Sequence, residues 1–269
     1  MRDATYTDLP RAVQEIDHAY SGRVHVLADV MALSLLARLG SPAPRQPEVN
    51  RLLERCYNTL FQACVNVVFP RIDTEVPTRM ASTVEGAAYR GDLIDPSTRV
   101  VLVGVARAGT LPAYQGFALL NDLCLSPGIR VDHVYMQRRT DAEGRVVGVD
   151  LGGSKFGGDV DDAIVLLPDP MGATGSSMSD AVGLVKALPG TPRAIVCLHL
   201  IITPEFIARL TADHPDVEIF ALRLDRGLSP PDVLQARPGE KEGEVGINEI
   251  QYIVPGAGGL GEVINNSFA

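Results

Sequence analysis

Basic residues are in deficit, with 24 Lys and Arg against 33 Asp and Glu and a net charge of −9. Counterion release on nucleic acid or on an anionic membrane needs a cationic face, so this balance disfavours both classes of partner. Long apolar runs are missing too. None approaches the roughly 18 residues that span a bilayer, and no basic-then-apolar leader opens the chain, so a cytoplasmic protein is expected. Cysteine is sparse: Cys56, Cys64, Cys124 and Cys197 show no CxxC spacing, and each lies in an apolar or helical setting. Disulfides and structural zinc are therefore not expected, and the four read as reduced core residues. His18, His25, His133, His199 and His214 lack metal-ligand spacing; each reads as a satisfied structural histidine, His199 inside a strand.

The 269 residues, 46% of them hydrophobic, suffice for a full core. Nothing in the middle reads as a linker, because the Pro-rich run 41–47 merely separates helical patterns at about 23–39 and 48–67. A single domain over 1–269 is expected, with a helical preface over 1–70, a core over 99–228 and an extended segment over 229–269. After an irregular stretch, strands are predicted near 99–105, 131–137, 163–168, 194–201 and 217–222, and helices near 112–123, 178–188 and 204–213. That alternation predicts an α/β fold in which a parallel sheet is covered by helices on both faces and binds ligands at the strands' carboxyl ends.

One segment indicates the kind of ligand. An apolar run, Ala163 to Pro168, is followed by Asp169, then by the small residues Gly172-Ala173-Thr174-Gly175-Ser176-Ser177. Beyond them Ala181, Leu184, Val185 and Leu188 carry helical spacing. The small residues thus join a strand's carboxyl end to a helix's amino end, where unpaired N–H groups and the helix dipole favour an anion. The segment reads as a phosphate cradle, and Asp169 at its entrance can accept hydrogen bonds from sugar hydroxyls. A tight turn with a capping Thr or Ser would use the same residue types.

Asp169-Pro170-Met171-Gly172-Ala173-Thr174-Gly175 resembles the 5-phosphoribosyl-1-pyrophosphate (PRPP) motif of type I phosphoribosyltransferases. Its Asp-Pro pair, where most relatives carry two acids, resembles the uracil phosphoribosyltransferase family in particular. Arg107-Ala108-Gly109, closing an apolar strand, resembles that family's pyrophosphate loop, and Gln251 to Gly259 resembles its C-terminal uracil-binding segment. Shorter likenesses at His214 to Ile219 and Asp225 to Leu228 extend the resemblance over roughly 99–262.

The resemblance implies a type I phosphoribosyltransferase-like parallel sheet flanked by helices, with N-terminal helices and a C-terminal hood over the base. It implies PRPP held by Arg107, Arg138, Arg139, Asp169, Met171, Ala173, Thr174, Gly175, Ser176 and Ser177. Of these, Arg107, Arg138 and Asp169 would carry the chemistry. The base would meet Ile253 and Gly258, with Tyr252 or an apolar neighbour packed on its face. Mg2+ would arrive bound to PRPP and need no metal site built by the protein. The implied reaction joins uracil and PRPP to give UMP and pyrophosphate, a pyrimidine-salvage step, in a homodimer or larger homo-oligomer.

Gly256 to Gly261 also matches G-x-G-x-x-G, but a dinucleotide fold needs a helix, a second strand and an acid about twenty residues on, and only eight residues follow. Lys155, in the Gly-rich stretch 152–158, reads either as part of a lid or as a plain surface loop. Two departures from the family stand out. Gly259 occupies the place of an acid beside the base, either as a lost contact that Glu249 or Glu262 replaces, or as a position of positive φ. In addition, 23 residues separate Leu228 from Tyr252, more than the family's usual connection. Three functions stay open: a uracil phosphoribosyltransferase, a related transferase for another base, or a PRPP- or nucleotide-sensing homologue without turnover.

Overall fold

The computed structural model describes residues 5–140 and 146–267, except for the side chains of 137–140 and 146–151. The chain opens with β1 (Val24–Val26), α1 (Val30–Leu39), α2 (Glu48–Val68) and the strands β2 (Arg71–Pro77) and β3 (Ala88–Ile94). Then come β4 (Val100–Ala106), α3 (Thr110–Asn121), β5 (Ile129–Thr140), β6 (Val146–Lys155), β7 (Ile164–Pro168), β8 (Met171–Gly172) and α4 (Ser176–Lys186). The remainder is β9 (Ala194–Ile202), α5 (Pro204–Asp213), β10 (Glu218–Leu224) and the short helices α6 (Pro231–Leu234) and α7 (Leu260–Asn265).

The main sheet runs β1-β10-β9-β7-β4-β5-β6, with β8 also paired to β9. Every pairing in it is parallel except β5 with β6. β7 is buried at every residue, as β-branched runs are when helices cover both faces. Alternate side chains of β4 divide the core in two. Leu102 joins Leu53 and Phe61 beneath α2, whereas Val101 and Val103 join Ala181 and Val185 of α4 and Leu210 of α5. A β-carbon at Gly116 would come within 2.4 Å of the Phe61 ring and 2.5 Å of Leu102, so glycine is what lets α3 lie directly on α2 and β4. All four cysteines are free and buried in this core, and burial pushes the Cys56 thiol up to about 12.

Three expectations change. Val24–Val26 is a strand rather than the start of a helix: it pairs with Ile219–Ala221 and buries both valines, while His25 bonds Glu15 and stacks on Phe220. The helix begins only after Asp29, whose carboxylate caps it by accepting the Ala32 amide at 2.8 Å. The irregular stretch before residue 99 contains the antiparallel β2–β3 hairpin, exposed along most of β2, half-buried along β3 and tied across by Arg90 and Glu75. Lys155 ends β6, paired with His133, so it belongs to a strand and not to a lid loop.

The long connection after β10 is also built. Arg226 pairs with the buried Glu244 carboxylate, which takes the Gly239 amide at 3.0 Å and the Tyr20 hydroxyl as well. Burial and that carboxylate push the Tyr20 phenol well above its ordinary value.

Candidate active site

Asp169 follows β7 directly and turns the chain. Its amide donates to the Leu198 carbonyl at 3.0 Å, and its Oδ1 accepts the Met171 amide at 3.0 Å. The turn brings β8 back beside β9 at Ile201 and Ile202. Thr203, buried at the N-cap of α5, accepts the Phe206 amide at 3.0 Å and donates its hydroxyl to the Ala173 carbonyl at 2.6 Å, so α5 fixes the loop from below. Gly175 adopts φ +79°, and a β-carbon there would come within 2.9 Å of Leu210. Glycine therefore allows α4 to start at Ser176, where the first-turn amides have no intrahelical partner and the dipole favours an anion.

The loop after β4 approaches from the neighbouring strand. Gly109 has no room for a β-carbon, which would lie 2.6 Å from the Pro168 carbonyl, so the ends of β4 and β7 meet closely. Arg107 is exposed; its guanidinium donates to the Ser267 hydroxyl, and the Ala106–Arg107 peptide is cis.

The C-terminal segment is held by side chains. The buried Asp225 carboxylate accepts a bidentate pair from Arg223 at 2.6 and 2.8 Å and the Gly256 amide at 2.7 Å. Arg223 returns a bond to the Gly256 carbonyl at 2.9 Å. Glu205, in the first turn of α5, accepts the Gly246 amide at 2.9 Å, and Gly246 in turn accepts the Val254 amide at 2.8 Å. Asn248 exchanges two bonds with Tyr252, both at 2.9 Å. The result buries Ile253 and leaves Tyr252 partly exposed.

These three segments line one cavity of about 840 Å³, within the size range of small-molecule sites. Arg107, Asp169, Met171 and all of Ala173 to Ser177 contribute, and so do Tyr252, Ile253 and Gly258. The backbone of Arg138 and Arg139 lies in β5 opposite Val149 and Gly148, but their side chains fall outside the described residues. Tyr135 and Met136, just before them, line the cavity and were missed. The signal for them was position alone, at the carboxyl half of a parallel strand.

Gly259 and Glu262 also line the cavity, whereas Glu249 is exposed and does not. Gly259 has φ −81°, so a positive-φ requirement does not explain it. A β-carbon there would lie 2.2 Å from Glu262 Oε2. The Glu262 carboxylate, reaching back from the first turn of α7, occupies the space that a side chain at 259 would enter.

His199 departs from the satisfied-histidine reading. It is 1% exposed and lines the cavity, yet neither ring nitrogen has a hydrogen-bond partner. Burial pushes its pKa down to about 3, against a smaller opposite effect of the Asp169 main chain. Buried His18 Nδ1 also lacks a partner, whereas His25 bonds Glu15 and His214 bonds the Ser179 carbonyl at 2.9 Å. A lone histidine in the apolar strand Ala194–Ile202 was the available signal for His199.

Comparison with known proteins places these features. The family model for uracil phosphoribosyltransferase matches residues 26–239. A uracil phosphoribosyltransferase of Acidovorax ebreus is 32% identical over 241 residues, covering 90% of this chain and 97% of that one. Another, of Polaromonas naphthalenivorans, is 32% identical over 195 residues, covering 72% and 75%. Among solved structures, the AQ2163 protein of Aquifex aeolicus is similar in fold, with a TM-score of 0.66 at 20% identity over 90% of this chain and 97% of that chain.

Proposed function

The chain belongs to the uracil phosphoribosyltransferase family and is a phosphoribosyltransferase, and from that premise we propose that it converts uracil and PRPP to UMP and pyrophosphate, a salvage step. The observation that carries this reading is the meeting of the phosphate loop, the Arg107 loop and the 251–262 hood in one cavity. The 5-phosphate sits on the amides of Ala173 to Ser177 with the Thr174 hydroxyl, and Asp169 accepts hydrogen bonds from the ribose hydroxyls. Arg107 receives the diphosphate, exchanging Ser267 for a stronger charge-assisted partner. Arg138 and Arg139 are assigned to the same charge by the resemblance.

Uracil lies under the hood, its polar edge matched by main-chain groups at Ile253 and Gly258 and its face near Tyr252. In the reaction the C1–O bond to pyrophosphate breaks with oxocarbenium character at C1, the bond to uracil N1 forms, and the N1 proton is released. Arg107 stabilises the negative charge that develops on the leaving diphosphate. No covalent nucleophile is needed.

The residues present fit Mg2+ carried by the diphosphate. Among the described residues no cluster of three or more His, Cys, Asp or Glu is placed to hold a metal, and the lining carboxylates are Asp169 and Glu262. Mg2+ takes oxygen ligands and keeps its waters, so these carboxylates suffice, and when bound it would offset diphosphate charge. Assembly as a homodimer or larger belongs to the same reading. Among the described residues no helix is long and apolar enough to cross a membrane.

A second reading, transfer to a different base, is favoured by the exchange of an acid at 259 for the Glu262 carboxylate, which alters the donors and acceptors beside the base. Incubation with PRPP, Mg2+ and a panel of bases, reading pyrophosphate release and the nucleotide formed, decides between them. UMP formed fastest supports the uracil assignment, and another nucleotide formed fastest replaces it. PRPP binding without turnover on any base would indicate a sensor.

A further inference from the structure

β9 changes partner in the middle of the site. Up to Leu198 it pairs with β7, and from Ile201 it pairs with β8. Between those points Asp169 and Pro170 bond to it through Leu198, Leu200 and Ile201, so His199 lies directly beside the turn that presents Asp169. The ring packs edge-on against Phe206, with centroids 4.5 Å apart. Gly172 keeps that ring in place, since a β-carbon there would lie 2.8 Å from Phe206 and 3.0 Å from Ile202.

A buried, uncharged imidazole has one N–H donor and one acceptor nitrogen, and leaving either unmade costs stability. Such a group is not the choice for filling a core. Here neither nitrogen has a hydrogen-bond partner, and the ring lines the cavity with the donor loop, on the stretch of β9 that the Asp169–Pro170 turn bonds.

We propose that His199 is a positioning residue of the phosphoribosyl-donor site: its N–H serves the Asp169 main-chain carbonyl, and its other nitrogen accepts a ribose hydroxyl of the bound donor. Occupation of the site completes both bonds and fixes Asp169 for the neighbouring hydroxyl. The inference rests on the reading of the cavity as a PRPP site, and it adds to that reading a side chain from β9.

The test uses imidazole 15N NMR of the full-length protein with ribose 5-phosphate, with inorganic phosphate and with PRPP. The expected result is a neutral ring whose nitrogen shifts move with ribose 5-phosphate and PRPP and stay put with phosphate. His199→Leu should raise KM for PRPP about tenfold while KM for uracil holds, and should leave Tm equal or higher, because an unpaired buried polar group is gone. His199→Gln should recover part of the PRPP affinity. A merely structural histidine would lower Tm on replacement and leave the KM values alone. Bound ribose 5-phosphate with an unmoved ring, or the same movement with phosphate, overturns the proposal. If the wild type binds neither PRPP nor ribose 5-phosphate, the PRPP reading itself fails and takes this inference with it. Should His199→Leu not fold, the wild-type spectra still decide.

Discussion

The donor half of the cavity and the hood are built by opposite means. From β4 to α4, the chain turns within two to seven residues at the ends of adjacent strands, and main-chain register places Arg107, Asp169 and the loop. The hood has no strand or helix between Gly246 and Gly259 beyond the isolated Ile247–Ile253 bridge. It is fixed by carboxylates distant in sequence, Glu205 on Gly246 and Asp225 on Gly256. The first half is thus set by sheet geometry, and the second hangs on two carboxylates.

The comparison breaks most readily at Asp225. Asp225→Ala would leave a mostly buried guanidinium without its carboxylate and free the Gly256 amide, a loss of about 3 kcal/mol in urea unfolding. KM for uracil should rise far more than the Kd for ribose 5-phosphate; equal loss at both would show that the halves are not separable.

Asp169→Asn probes the other half. An amide keeps the turn's shape and replaces only some of the bonds a carboxylate accepts, so kcat/KM for PRPP should fall about 10- to 100-fold with unfolding little changed. Wild-type kinetics would remove Asp169 from the site.

A smaller effect is expected at the hood's tip. Glu262→Gln should lower kcat/KM for uracil about 3- to 10-fold, and Gly259→Ala, which displaces the same carboxylate, should match it. Gly259→Asp brings its own acid and should lie closer to wild type. If Gly259→Ala alone is harmless, Glu262 is not the acid beside the base.

The smallest effect lies outside both halves. Burial lowers the pKa of His25, but the hydrogen bonds that its protonated ring donates to Glu218 and Glu15 outweigh it, so the net shift is upward. A raised folded-state pKa gives stability that is fully present below about pH 6.5 and is lost as pH rises through the folded value. Wild type should therefore lose slightly more stability than His25→Gln between pH 5.5 and 8.5, with the kinetic constants of the two proteins alike.

What the sequence revealed follows the same division. Asp169 to Ser177 and Arg107 to Gly109 were legible because local spacing determines a strand-end loop, and β4, β7 and β9 because burial on both faces needs unbroken apolar runs. β1 was hidden because three residues show no period, and its strand partner, β10, lies almost two hundred residues on. The β2–β3 hairpin was hidden because a largely exposed strand such as β2 needs no apolar alternation. Glu205 and Asp225 were invisible as hood residues, since a tether across tens of residues leaves no local pattern; Glu262 was legible, being close in sequence to Gly259. His199 was visible as an oddity and misread, because only the third dimension shows that its nitrogens face no partner.

Glu244 divides the 229–251 connection into two closed rings of chain, one through Arg226 and one through Gly239. Ring closure grows only logarithmically in cost, by about 0.6 kcal/mol per doubling of length. Residues gained or lost between Gly239 and Glu244 would therefore alter one ring and leave the other, and the hood beyond it, in place. The Tyr20 hydroxyl on the same carboxylate ties this junction to the far end of the chain. The connection can thus drift in length during evolution at little thermodynamic cost, while the point where it hands the chain on to the hood stays anchored.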